Sequence, residues 1–109
     1  MNQYFKELFD GFREEEHWYI SDMIYRIGNK NLSFFSWGET MSKEERSFAY
    51  SLADKVDTEY YGGLINDDCW SNLAIFVEIM IYYIVYDDTC SWAMPNIGLC
   101  YAEAVNSVL

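Results

Sequence analysis

Residues 66–92 read NDDCWSNLAIFVEIMIYYIVYDDTCSW. The stretch carries five acids (Asp67, Asp68, Glu78, Asp87, Asp88) and no Lys, Arg or His. Between its two Asp pairs, the 14 residues from Leu73 to Tyr86 are apolar or Tyr except for Glu78. Their β-branched and aromatic side chains suit a strand. Length argues the other way, because strands usually run about 5–6 residues and no turn residue interrupts this run. A strand would also need partners, and the rest of the chain offers few. The spacing therefore predicts a central helix, apolar nearly all round and buried on most sides. It is too short to cross a bilayer, which takes about 20 apolar residues, and Glu78 breaks it, so no membrane role is expected.

Asp67 or Asp68 suits the start of this helix, where a carboxylate accepts from free backbone amides and meets the positive end of the dipole. Asp87 and Asp88 fall at the opposite end, where the dipole disfavours anions. Helix stability does not explain that placement.

Upstream, residues 3–27 carry apolar side chains at helical spacing, on one stripe if the helix runs straight through, while Gly11 weakens that continuity and allows a break near residues 10–14. Gly28-Asn29 reads as a C-terminal stop. Residues 28–41 read as a connection, and the stretch 24–37 could instead form a small β-hairpin around GNKN. Ser42 and Glu45 give S-x-x-E, a capping box opening a helix to about Tyr60, which Gly62-Gly63 ends. Downstream, Thr89 or Ser91 is the expected cap of a last helix reaching about Val108, with Pro95 in its first turn. The expected fold is all-α: one globular domain over 1–109, a compact bundle of four to five helices.

The formal charge of −11 is unevenly spread. Residues 1–55 hold ten acids and all seven bases, whereas residues 56–109 hold eight acids and no base. Exposed like charges cost little in water, about 1 kcal/mol at 4 Å. The acidic half can therefore persist without internal partners. Direct nucleic-acid binding is disfavoured, since phosphate contacts need clustered Lys and Arg. A negative face suits a basic surface instead.

Aromatic residues make up 19% of the chain, with ten Tyr, seven Phe and four Trp. That exceeds what a small core readily encloses, and Tyr and Trp concentrate at interface centres. The expected contact residues are the acids Asp57, Glu59, Asp67, Asp68, Asp87 and Asp88, with Tyr60, Tyr61, Trp70 and Trp92 as aromatic anchors.

No reaction is signalled. Glu14-x-x-His17 matches half of a carboxylate-bridged di-metal unit, but a second His is lacking. The three cysteines form no CxxC, and no nucleophile elbow, EF-hand or phosphate-binding glycine loop occurs. Neither metal nor cofactor is expected, and the cysteines read as free thiols of a reducing cytoplasm. No basic start precedes an apolar run, so no secretory leader is expected.

These features together predict a non-catalytic binding or inhibitor protein, a nucleic-acid mimic in charge, that occupies the basic site of a nucleic-acid-handling partner. In size and composition the chain is similar to phage-encoded inhibitors of bacterial defence such as anti-CRISPR proteins, though no motif links it to any one family. The alternatives are an immunity protein that neutralises a basic toxin or nuclease, and a homodimeric scaffold that buries its surplus aromatics between copies.

Overall fold

The central run is helical. In the computed structural model, which describes residues 1–63 and 68–108, α5 spans Cys69–Tyr86. Asp68 caps it, accepting from the Ser71 amide at 2.9 Å and the Ser71 hydroxyl at 2.8 Å. Burial on nearly every side overrides strand propensity here, since Leu73, Phe76, Val77, Ile79, Met80 and Ile84 all lie in the core. By length and composition α5 is also the one described helix that could cross a membrane, but more than half of it is buried inside the molecule.

Five other α-helices surround it: α1 (Gln3–Asp10), α2 (Glu14–Lys30), α3 (Phe34–Glu39), α4 (Lys43–Glu59) and α6 (Met94–Ser107), with a 3-10 segment at Asp88–Ala93. The expected four to five helices thus become six, and no strand occurs among the described residues. α4 and α6 flank α5 most extensively. α4 and α5 point the same way: Tyr50 and Asp54 share a groove with Cys69 and Asn72, while Tyr60 and Tyr61 reach Tyr82 and Glu78. The radius of gyration, 12.7 Å, matches the ~13 Å of a single compact body of this length.

The break near residues 10–14 falls between α1 and α2. The hairpin does not form, because α2 continues through Lys30 and its left-handed C-cap is Asn31, at φ 51°. Gly28 is not the stop that the sequence suggested. A Cβ there would lie 2.7 Å from the Ala93 Cβ and 2.8 Å from the Trp92 ring, so Gly28 lets the 3-10 segment press against α2. The connection at 28–41 contains α3, capped by Ser33, which buries Phe34 and Trp37. The Ser42–Glu45 capping box is present, with Ser42 N–H donating to Glu45 at 2.8 Å and Glu45 N–H to Ser42 Oγ at 3.1 Å.

The last helix starts later than Thr89 or Ser91 would set it. Ala93 precedes its first residue, and Pro95 sits in its first turn. Asp87 ends α5 and also caps the 3-10 segment, accepting from the Thr89 amide at 3.1 Å and the Thr89 hydroxyl at 2.8 Å. An anion at the wrong end of one helix is therefore the cap of the next element.

The two glycines of α2 and α6 separate packing from propensity. Gly28→Ala is expected to cost up to about 2 kcal/mol in urea unfolding, because overpacking of about 1–3 kcal/mol offsets or exceeds the helix gain of about 1. At Gly98 an added Cβ meets nothing within 4 Å, so Gly98→Ala should stabilise by about 0.5–1 kcal/mol. A stabilising Gly28→Ala would contradict the close approach of Ala93.

Candidate functional site

The first turn of α2 is EEE, and its three carboxylates suit the positive end of that helix. Glu16 reaches back to the Arg13 amide at 2.9 Å. With α2 anchored by Ile20, Met23, Ile24 and Ile27 in the core, its other face turns outward. That face carries Glu14, Trp18, Ser21 and Tyr25, at spacings of four, three and four residues, with His17 and Asp22 beside them.

Across from this stripe stands the C-terminal end of α5, with Tyr83, Tyr86 and Asp87. The two elements border an open cleft of about 600 Å³. Its floor is polar and knitted together. His17 Nδ1 and the Tyr83 hydroxyl are 2.8 Å apart, and Tyr83 is buried. Burial pushes the Tyr83 phenol up, and the nearby Ser21 hydroxyl offsets part of that rise. The Tyr86 hydroxyl donates to Asp10 at 2.7 Å, which raises the phenol and helps hold Asp10 low, after the larger effect of Lys6.

The rim is acidic and aromatic. Glu14 makes no hydrogen bond or ion pair among the described residues. Asp22 is held by Arg26 at 2.7 Å. Asp87 uses one oxygen for its cap. No Lys or Arg lines the cleft. Trp18 is 73% exposed and Tyr25 55%, and Trp92, 48% exposed, meets Tyr25 edge-on at 5.3 Å.

Nine of the ten contact residues expected from sequence are described, and these nine do not share one face. Asp57 is buried on α4. Glu59 accepts from the Tyr4 hydroxyl at 2.8 Å, and Tyr60 packs on Tyr4 and Phe5, each at 5.1 Å. The half-buried Tyr61 faces Glu78; burial and then that carboxylate push its phenol up, although no hydrogen bond of standard geometry joins them. Asp67 lies outside the described residues. Asp68 is the α5 cap, and the Ser71 bonds hold its carboxyl below the ordinary range. Trp70 is wedged against Phe34 and Phe35 at 5.5 and 4.8 Å. Asp68 and Trp70 stand at the start of α5, about 26 Å from its other end, which Asp87 and Asp88 follow, while Trp92 lies further on against Gly28 of α2. Only Asp87, Asp88 and Trp92 adjoin the cleft: Asp87 lines it, Trp92 borders it through Tyr25, and Asp88 follows Asp87 at the surface.

Glu14, His17, Trp18 and Tyr25 are therefore additions that the sequence reading did not select as contacts. The Glu14-x-x-His17 pair belongs to this cleft, where the His17 Nδ1 faces Tyr83. Among the described residues, no group of three or more His, Cys, Asp or Glu is placed to hold a metal ion. Cys90 and Cys100 are buried and Cys69 is exposed, all three as free thiols, and burial pushes the Cys100 thiol up to about 12. No protein-family model, curated protein or solved structure matches the chain.

Proposed function

We propose that this is an acidic, non-catalytic binding protein whose α2 and α5 face occupies a basic surface of a partner, one that otherwise holds nucleic acid. The observation that supports the reading is the pairing of exposed Trp18 and Tyr25, with Trp92 against Tyr25, and the acids Glu14, Asp22 and Asp87 around one cleft. Acids steer a cationic partner, and desolvated aromatic anchors supply the short-range energy. An anti-defence inhibitor of the anti-CRISPR kind and an immunity protein for a basic nuclease use this same chemistry.

The test is affinity capture of bacterial nucleic-acid-binding proteins at low salt, followed by competition with duplex DNA and with RNA. Nucleic acid should displace the captured partner. The double substitution Glu14→Lys, Asp88→Lys should slow association about tenfold, as loss of electrostatic steering does. A partner that neither DNA nor RNA displaces would overturn the reading.

A second reading, a homodimeric scaffold, is favoured by a different surface. The outer side of α6 exposes Pro95, Leu99 and Ala102, with Leu99 67% exposed and Val105 at its edge. The one charged residue of α6, Glu103, is turned aside to accept from the Phe34 amide at 3.1 Å. A Leu99→Lys variant that converts a dimer to a monomer in solution would support this reading.

A further inference from the structure

The geometry points to the occupant of the cleft: an extended segment of the partner that places two arginine side chains, four residues apart, against α2. This inference rests on the basic-partner reading and specifies its chemistry.

The spacing comes from the helix. Glu14 and Asp22 are eight residues apart on α2, about 12 Å along its axis. In an extended peptide, residues i and i+4 point to the same side and lie about 13 Å apart. One cation can therefore reach Glu14 while the second reaches Asp22, with Asp87 facing them from α5. The cleft runs from Glu14 to Tyr25, roughly 16 Å, which is about five extended residues.

Arginine fits better than lysine for a reason found on the rim. Trp18 lies between Glu14 and Asp22 and exposes most of its ring, and Tyr25 stands one turn beyond. A planar guanidinium can stack on an indole or phenol face while its edge donates to a carboxylate, whereas a compact, strongly hydrated ammonium has no plane to stack. Among the described residues no cation pairs with Glu14, and only one oxygen of Asp22, Oδ2, is taken, so the second arginine meets Asp22 Oδ1. Arg26 lies beyond Asp22, tied to Asp22 and Glu45, and Arg13 pairs with Glu15 and Glu16. His17 is engaged with Tyr83 below the rim.

The experiment uses the full chain and a capped seven-residue peptide with arginines at its second and sixth positions, the remainder being glycine and serine. Binding is read by Trp fluorescence and by amide shifts. The peptide should bind at least fivefold more tightly than a version with lysines at the same positions or with the two arginines adjacent. Trp18→Ala and Glu14→Gln should each weaken it at least fivefold. Asp54→Asn removes one exposed charge from α4 and should change little. Equal weakening by Asp54→Asn would overturn the inference, because attraction would then be diffuse. Absence of binding, or no preference for the four-residue spacing, would overturn it too. Either failure leaves the basic-surface reading to be decided by the nucleic-acid competition.

Discussion

Replacing Phe76 by Ala is expected to lower the stability of the protein by about 3–5 kcal/mol, the usual cost of removing a buried aromatic ring. Phe76 has no exposed surface. Its ring lies parallel to Trp37 at 6.2 Å and edge-on to Phe48 at 6.0 Å, so it joins α3, α4 and α5 at one point. No neighbour can collapse into the space without pulling one of those helices inward, and the cavity component of the cost should therefore persist. Small domains have about 5–15 kcal/mol in total, so the variant should unfold at much lower urea concentration. The matched control is Val85→Ala on the same helix. Val85 is 54% exposed, and its truncation should stay within about 0.5 kcal/mol. A Phe76→Ala loss below about 1 kcal/mol would mean that this side of α5 is not packed as described.

That contrast between Phe76 and Val85 also shows what was readable in advance. The length of the apolar run and the Asp67-Asp68 pair at its start identified α5, and S-x-x-E identified the start of α4, because these are local rules with local partners. Gly28 was misleading for a physical reason. A glycine near a helix end can mark a stop or a close approach, and the residue approaching it, Ala93, is 65 positions away in the chain. α3 was hidden because six residues carry little periodicity, and its justification is tertiary: Phe34 and Trp37 fill the core beside Phe76.

The acidic excess was legible, but its location was not. Asp57 and Trp70 looked like surface residues by type, and packing from distant segments takes them away. Trp18 and Tyr25 did leave a signal. Once Ile20, Met23, Ile24 and Ile27 are assigned to the inside of α2, the opposite stripe must expose an indole and a phenol. Large aromatics on the polar side of an amphipathic helix mark a contact surface more reliably than a count of acids does.

Arg26→Met is expected to cost about 2–4 kcal/mol at neutral pH, because it strands a buried carboxylate. The Arg26 guanidinium donates to both Glu45 oxygens, at 2.7 and 3.2 Å, and to Asp22 at 2.7 Å. The Glu45 side chain is 9% exposed and that of Arg26 19%, so solvent screens the pair only weakly. Burial by itself would raise the Glu45 carboxyl; the bonds from Arg26 and Ser42 outweigh it and leave the carboxyl below its ordinary value. A depressed carboxyl stabilises the fold above its unfolded pKa, about 4.3, and that contribution is lost as pH falls through the folded value. In Arg26→Met, burial is opposed only by the Ser42 bonds, and the Glu45 carboxyl titrates higher. The deficit relative to the unaltered protein should therefore be largest near pH 7 and shrink as pH falls toward 4, where Glu45 takes up its proton. Adding Glu45→Gln to Arg26→Met should recover most of the loss at pH 7, since Gln keeps the capping box with Ser42 and carries no charge. Urea midpoints of the single and double variants at pH 7 and pH 4.5 measure both effects. A double variant no more stable than Arg26→Met at pH 7 would show that the loss comes from the missing Arg26 packing and its bond to Asp22, and not from an uncompensated charge at the start of α4.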